Sequence, residues 1–318
     1  MAEAQPSSPL FKSTAPFDDP KADTILRSSD GVDFRVYRVI LSSASPFFKT
    51  MFSLPQDTSE DSKIPTVPFS ETGRILDRFL RIWYPGATTA GFDSLEQLAD
   101  VIQLALGKYD LQYLAPILNR QLRVYVENHC VSVFAIACRY GWKASAKLAA
   151  KQALNLDLPS IFNSTAANPY LRHITGDQFQ ALLIYHHACG KAAAAAGRLL
   201  PWSDAEYAWN KCTVTSCAAC GQYSEIPGRG RVVPRAWIFT YLDEASAALK
   251  QRPGANVQNP ALLVGAQSKA MSCSSSSHGG YHATSPCRSH GLQDLSKFVT
   301  DKYVPAVNEA IKGVLLQI

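Results

Sequence analysis

Apolar residues along this chain change their period in a way that marks out its elements. Residues 24–27 (TILR) read as a short strand, and 28–31 (SSDG) carry hairpin-turn chemistry. Val32, Phe34 and Val36 then alternate with Asp33 and Arg35, the period-two pattern of a half-buried strand. From Val39 the spacing becomes helical, with Ile40, Ala44, Phe47, Phe48, Met51 and Phe52 on one stripe. Ser45 and Pro46 either begin a second helix or kink the first. The polar stretch 55–62 predicts a loop, and two prolines hold 63–69 extended.

Beyond residue 70 helical spacing dominates. Ile75, Leu76, Phe79, Leu80 and Trp83 mark one helix, stopped by Pro85 and Gly86. Ser94 caps another that bears Leu95, Leu98, Ala99, Ile102 and Leu106, and Leu111, Leu114, Leu118, Leu122 and Tyr125 form a third stripe. Further helices are expected at 131–141, 143–155, 177–189, 191–199, 236–250, 259–271 and 291–318, the last kinked at Pro305. Residues 1–20, rich in Pro, Ser and Asp without periodicity, read as a disordered tail. Residues 202–235 look loop-rich and 272–286 loose. The absence of a sequence repeat argues against propellers and solenoids.

Composition narrows the class. With 318 residues, 47% of them hydrophobic, the chain has room for two or three domains with their own cores. Its first residues carry neither a basic n-region nor an apolar h-region, and no apolar run approaches the roughly 20 residues of a membrane span. A cytoplasmic or nuclear protein without membrane contact is therefore expected, with its eight cysteines reduced or bound to metal. The net charge of +5 is uneven: residues 1–126 hold 13 basic and 15 acidic residues, residues 127–318 hold 18 and 11. The basic excess of the second part is scattered, which fits solubility better than a nucleic-acid footprint.

The segments 23–26 (DTIL), 32–43 (VDFRVYRVILSS) and 44–52 (ASPFFKTMF) resemble a BTB/POZ domain, and the run from RSSDGVDF to FKTMFSLP looks most like basidiomycete fungal BTB proteins. Tyr37 stands where that family usually has histidine. The resemblance implies an α+β fold over 21–126, a small sheet flanked by helices. A BACK-like helical region would follow at 127–200, then a Cys/His-containing, mostly helical segment at 201–318. It also implies a protein-interaction module, commonly a homodimer built on the first strand and first helix. In many such domains an aspartate opening the first strand and an arginine entering the first helix form a buried charged pocket at the interface. Those positions match Asp23 and Arg38 here. An Arg–carboxylate pair can be bidentate, and such pairs fix register more surely than they add stability. Some members with a following BACK-like region are substrate adaptors of cullin-type ubiquitin ligases, which makes a cullin scaffold a candidate partner.

Five cysteines fall in the last 107 residues. Cys217 and Cys220 form a C-x2-C knuckle, and Cys287 with His290 a C-x2-H pair. Two such pairs can close a tetrahedral site, so a structural zinc held by Cys217, Cys220, Cys287 and His290 is expected, with Cys212 and Cys273 as alternatives and His278 and His282 as spares. Reduced thiols with no metal, or a zinc-stabilised surface that touches nucleic acid in a nuclear regulator, are the competing readings.

Signals of catalysis are weak. His186 and His187 lie about 100° apart on a helix and share one ion poorly. Residues 190–197 (GKAAAAAG) lack P-loop spacing, and no G-x-S-x-G, H-E-x-x-H or G-x-G-x-x-G occurs. The sequence therefore reads as a non-enzymatic interaction scaffold, with no catalytic residue assigned.

Overall fold

The structure, a computed structural model, describes residues 11–54, 64–88, 91–165, 168–197, 207, 224–226, 230–232, 236–273 and 286–318. The chain divides into two compact units, 1–129 and 130–318.

In the first unit, β1 (Thr24–Arg27) is the centre of a three-stranded sheet. It pairs antiparallel with β2 (Asp33–Val36), Leu26 opposite Phe34, and parallel with β3 (Thr66–Pro68), Leu26 opposite Val67. The SSDG turn works because Gly31 takes a φ of +82°, open only to residues that tolerate the left-handed region. Ser28 Oγ bridges this turn to the Asp30 carboxylate, which in turn accepts from the Gly73 N–H at 2.8 Å. Two short helices follow, α1 (Arg38–Ala44) and α2 (Pro46–Ser53). The choice left open at Ser45 and Pro46 resolves as a helix start. Ser45 is extended, its hydroxyl accepts from the Phe47 N–H at 3.1 Å, and Pro46 needs no N–H in the first turn.

Helices α3 (Gly73–Arg81) and α4 (Leu95–Ile102) come next, and α4 runs into a π-helical turn at Gln103–Lys108. A 3-10 turn at Gln112–Leu114, α5 (Ala115–Leu122) and another 3-10 turn at Arg123–Tyr125 carry the third expected stripe. Phe48, Phe79 and Tyr109 meet inside, with ring centroids 5.1–5.3 Å apart at Tyr109. Of the tail expected over 1–20, residues 11–20 are in fact built against the sheet. Phe17 is fully buried beside Phe34 and Tyr84, and its carbonyl accepts from the Arg35 N–H at 2.9 Å. Two aromatics in a polar segment outweigh its lack of periodicity.

Helix α6 (Val126–Arg139) has a non-helical residue, His129, where the first unit ends. The second unit continues with α7 (Lys143–Ala153), α8 (Leu158–Thr165), a 3-10 turn at Pro169–His173, and α9 (Gly176–Ala196). A hairpin follows, β4 (Ser224–Ile226) with β5 (Gly230–Val232), then α10 (Ala236–Gln251) and α11 (Pro260–Met271). The last elements are α12 (Pro286–Phe298), a π turn at Val299–Tyr303 and α13 (Val304–Lys312).

Two helices were expected at 177–189 and 191–199; a single α9 replaces them. Gly190 does not break it but lets α10 approach, since a Cβ there would lie 2.9 Å from the Lys250 carbonyl oxygen. The alanines after it are strong helix formers and carry the helix on. Ala193, Ala194 and Ala196 of α9 enter the same core as Trp237, Tyr241, Leu249, Phe298 and Tyr303. The division expected between residues 200 and 201 therefore falls inside one compact unit. The kink expected at Pro305 takes the form of the π turn just before it, which accommodates the missing proline N–H. Among the described residues no helix is long and apolar enough to cross a membrane.

Candidate interaction site

The surface singled out by the sequence lies where β1 hands over to α1. Asp23 and Arg38 do come together, though through different atoms than a carboxylate–guanidinium pair would use. The Asp23 carboxylate accepts from the backbone N–H of Arg38 at 2.8 Å, and so caps a helix whose own N-cap residue, Tyr37, offers no side-chain acceptor. The Arg38 guanidinium turns elsewhere. Its Nε–H donates to the buried Thr24 hydroxyl at 2.8 Å, and its carbon sits 5.6 Å from the centre of the Phe52 ring. The geometry arises because strand β1 delivers Asp23 and Thr24 beneath the first turn of α1, while α2 returns Phe52 to its side. Asp23 is exposed and Arg38 half-buried, so the buried charged pocket implied by the resemblance is, in this single chain, an open helix cap.

Two exposed apolar residues that the sequence reading passed over stand beside this contact in the chain. Val39, next to Arg38, is 68% exposed, and Leu54, two residues beyond Phe52, is 59% exposed. Their apolar character at the first turn of α1 and the end of α2 was visible in the sequence; their exposure was not. Tyr37, at the histidine position, uses its hydroxyl to donate to Asp19 at 2.6 Å, and its N–H donates to the Tyr84 hydroxyl at 3.0 Å. The bond from Tyr37 holds the Asp19 carboxyl below its ordinary range.

For the metal reading, Cys212, Cys217, Cys220, His278 and His282 lie outside the described residues. Cys273 and Cys287 are both buried in the core of the second unit, at the end of α11 and the start of α12. His290 is exposed one turn along α12, with the Ser289 hydroxyl 2.7 Å from its Nδ1. Among the described residues no three metal-ligating side chains gather. The remaining cysteines are packing. Burial raises the thiols of Cys130 and Cys189, and lifts that of Cys138 to about 11. His186 is buried with Nε2 2.8 Å from the Leu156 carbonyl oxygen, and His187 is exposed, as two neighbours on a helix must diverge.

A profile of the BTB/POZ domain family matches residues 18–124. Kelch-like protein 28 of Homo sapiens is 29% identical to this chain over 119 residues, which are 37% of this chain and 20% of that protein. The match thus spans about a fifth of that relative's length. The three-stranded sheet with its flanking helices, the Ser45-capped pair α1 and α2, and the family match agree: residues 18–124 of this chain are a BTB/POZ domain, a protein-interaction fold.

Proposed function

We propose that the chain is a non-enzymatic scaffold that self-associates through the surface formed by β1, α1 and the end of α2. The observation that carries this reading is the pair of exposed apolar side chains, Val39 directly after Arg38 and Leu54 two residues after Phe52, at the two ends of the Arg38–Phe52 contact. Exposed apolar residues next in sequence to an arginine and an aromatic ring that meet have the composition of an interface centre. Arg38 contributes a guanidinium held by Thr24, and Asp23 keeps the helix start in place. Sedimentation velocity of the full chain tests it. Val39→Glu places a charge in the interface and should shift the chain to monomer. Arg38→Gln should weaken association, whereas Asp23→Asn retains a capping oxygen and should leave the fold intact. Wild-type protein that sediments as a monomer at high micromolar concentration would reject the proposal.

The similarity to a Kelch-like protein favours a second reading, an adaptor for a cullin-type ubiquitin ligase. Mixing the chain with a purified cullin N-terminal domain and following co-elution tests it; separate elution at micromolar concentrations counts against it. For the second unit the C-x2-C spacing, together with the burial of Cys273 and Cys287, supports a structural zinc in which thiolates dominate the ligand set. Metal analysis showing well under one zinc per freshly isolated chain refutes that assignment.

A further inference from the structure

Helix α3 carries a stripe of charge of which only Arg74 is exposed. Arg74, Asp77, Arg78 and Arg81 are spaced at i, i+3, i+4 and i+7 and so share one face. Phe11, Lys12 and Thr14 line this face together with Thr88 and Asp93, shaping an open cleft of about 360 Å³. The volume sits at the small end of ligand pockets, room for one side chain and not for a large cofactor.

The walls are held by hydrogen bonds. Arg81 Nε–H donates to both Asp77 oxygens at 2.9 Å, its Nη1 to the Ala15 carbonyl at 3.2 Å, and its Nη2 to the Thr14 hydroxyl at 2.8 Å. Both members of that pair are about nine-tenths buried, with side-chain exposures of 12% and 10%. Arg78 donates to the Gly91 carbonyl at 3.0 Å and to Asp93 at 3.1 Å. These contacts leave two cations unmatched. Arg74 and Lys12 are exposed at the same cleft, and neither makes a hydrogen bond or ion pair among the described residues. Asp77 and Asp93 neutralise Arg81 and Arg78, so the cleft carries an excess of two positive charges in a volume suited to one group.

We propose that this cleft binds a phosphorylated serine or threonine side chain on a partner peptide. A phosphomonoester carries about −1.5 to −2 charges near neutral pH and three acceptor oxygens, which match the unmatched pair in both number and compactness. Arg74 supplies a planar fork and Lys12 a point charge, while the spare N–H groups of Arg78 reach the same volume. Arg81 is a positioning residue: its bonds to Ala15 and Thr14 hold segment 11–15 in place as the cleft wall, while Asp77 fixes the guanidinium itself. A glutamate offers one charge, and a run of glutamates would spread its charge beyond the cleft. The site shares no residue with the surface around Val39.

The test uses the full chain and a fluorescein-labelled Gly-Gly-phosphoserine-Gly-Gly peptide, followed by anisotropy at about 50 mM salt, where the Debye length leaves such charges weakly screened. Saturable binding that weakens with added salt is expected, with at least about tenfold loss in the Arg74→Gln, Lys12→Gln double variant. Both positions are exposed, and an unchanged circular dichroism spectrum verifies that the variant folds. Lys143→Gln, an exposed lysine of α7, should bind as the wild type does. Equal binding of the serine peptide would overturn the proposal. So would equal binding of the glutamate peptide, which would assign the cleft to acidic sequences. Inorganic phosphate competing with a dissociation constant equal to that of the labelled peptide would overturn a peptide ligand in favour of the free anion.

Discussion

Ser45→Ala should loosen the first unit by about 2–4 kcal/mol. The hydroxyl has two jobs at a buried position: it accepts from the Phe47 N–H at 3.1 Å and donates to the Tyr109 carbonyl. Losing the cap costs about 1 kcal/mol. Leaving the Tyr109 carbonyl without that donor in the interior costs about 1–3 kcal/mol more. The second bond joins the start of α2 to the residue closing the π turn, 64 positions away, so its loss is felt on both elements. Amide hydrogen exchange read on peptides from α2 and from 103–114 is the suitable assay, because a melt of a two-unit chain mixes transitions. A cost of that size speeds exchange about 30- to 1,000-fold. Ser43→Ala, an exposed serine that only donates back to Val39, is the control and should change stability by less than about 0.5 kcal/mol. Exchange less than about fivefold faster in Ser45→Ala, or equal in the two variants, would show that the hydroxyl is not what fastens α2.

The other expectations concern one ion pair and one close approach. Burial acts to raise the Glu71 carboxyl, but the bond and charge of Lys108, 2.6 Å away, hold it below its ordinary range. Stability from this depressed carboxyl is present above the unfolded value near 4.5 and is lost as pH falls through the lower folded value. Lys108→Met removes the main groups opposing burial, so a carbon-detected titration of Glu71 should move its midpoint upward; an unmoved midpoint rejects the account. Gly190→Ala sets a Cβ against two backbone carbonyls of α10, Lys250 at 2.9 Å and Leu249 at 3.3 Å, neither of which is a flexible side chain. Overpacking of about 1–3 kcal/mol should exceed the gain of about 1 kcal/mol from alanine's helix propensity. Amide exchange on peptides from α9 and α10 should then quicken, and slower exchange there would contradict the close approach.

Local patterns were legible where one face of an element alone decides burial. The alternation Val32, Phe34, Val36 gave β2, with Val32, Phe34 and Val36 all buried, and the stripe on 75–83 gave α3. The Asp23–Arg38 neighbourhood was also legible, but only as proximity. Whether the carboxylate meets a guanidinium or a backbone N–H depends on where Thr24 and Phe52 stand, and that is tertiary information. Gly190 misled because a glycine inside a helix looks the same in sequence whether it ends the helix or admits a neighbour. The tail misled for the opposite reason: Phe11 and Phe17 are too far apart to show a period, yet each finds Phe34. The arginines of α3 had a readable spacing of four and three, but spacing alone reads as a solvated face. The cleft exists only because segment 11–15 folds back beside them.

That returning segment also decides what counts as the first unit. The family boundary at residue 18 falls just after Phe17, a side chain with no exposed surface, whose ring lies 5.2 Å beneath the Arg81 guanidinium. A fragment trimmed to that boundary would lose a core aromatic and the backbone partner of Arg35, and would leave Arg81 without the Thr14 and Ala15 acceptors. For this chain the self-sufficient piece begins ahead of the family match, at or before Phe11, and the edge of that match is not where to cut.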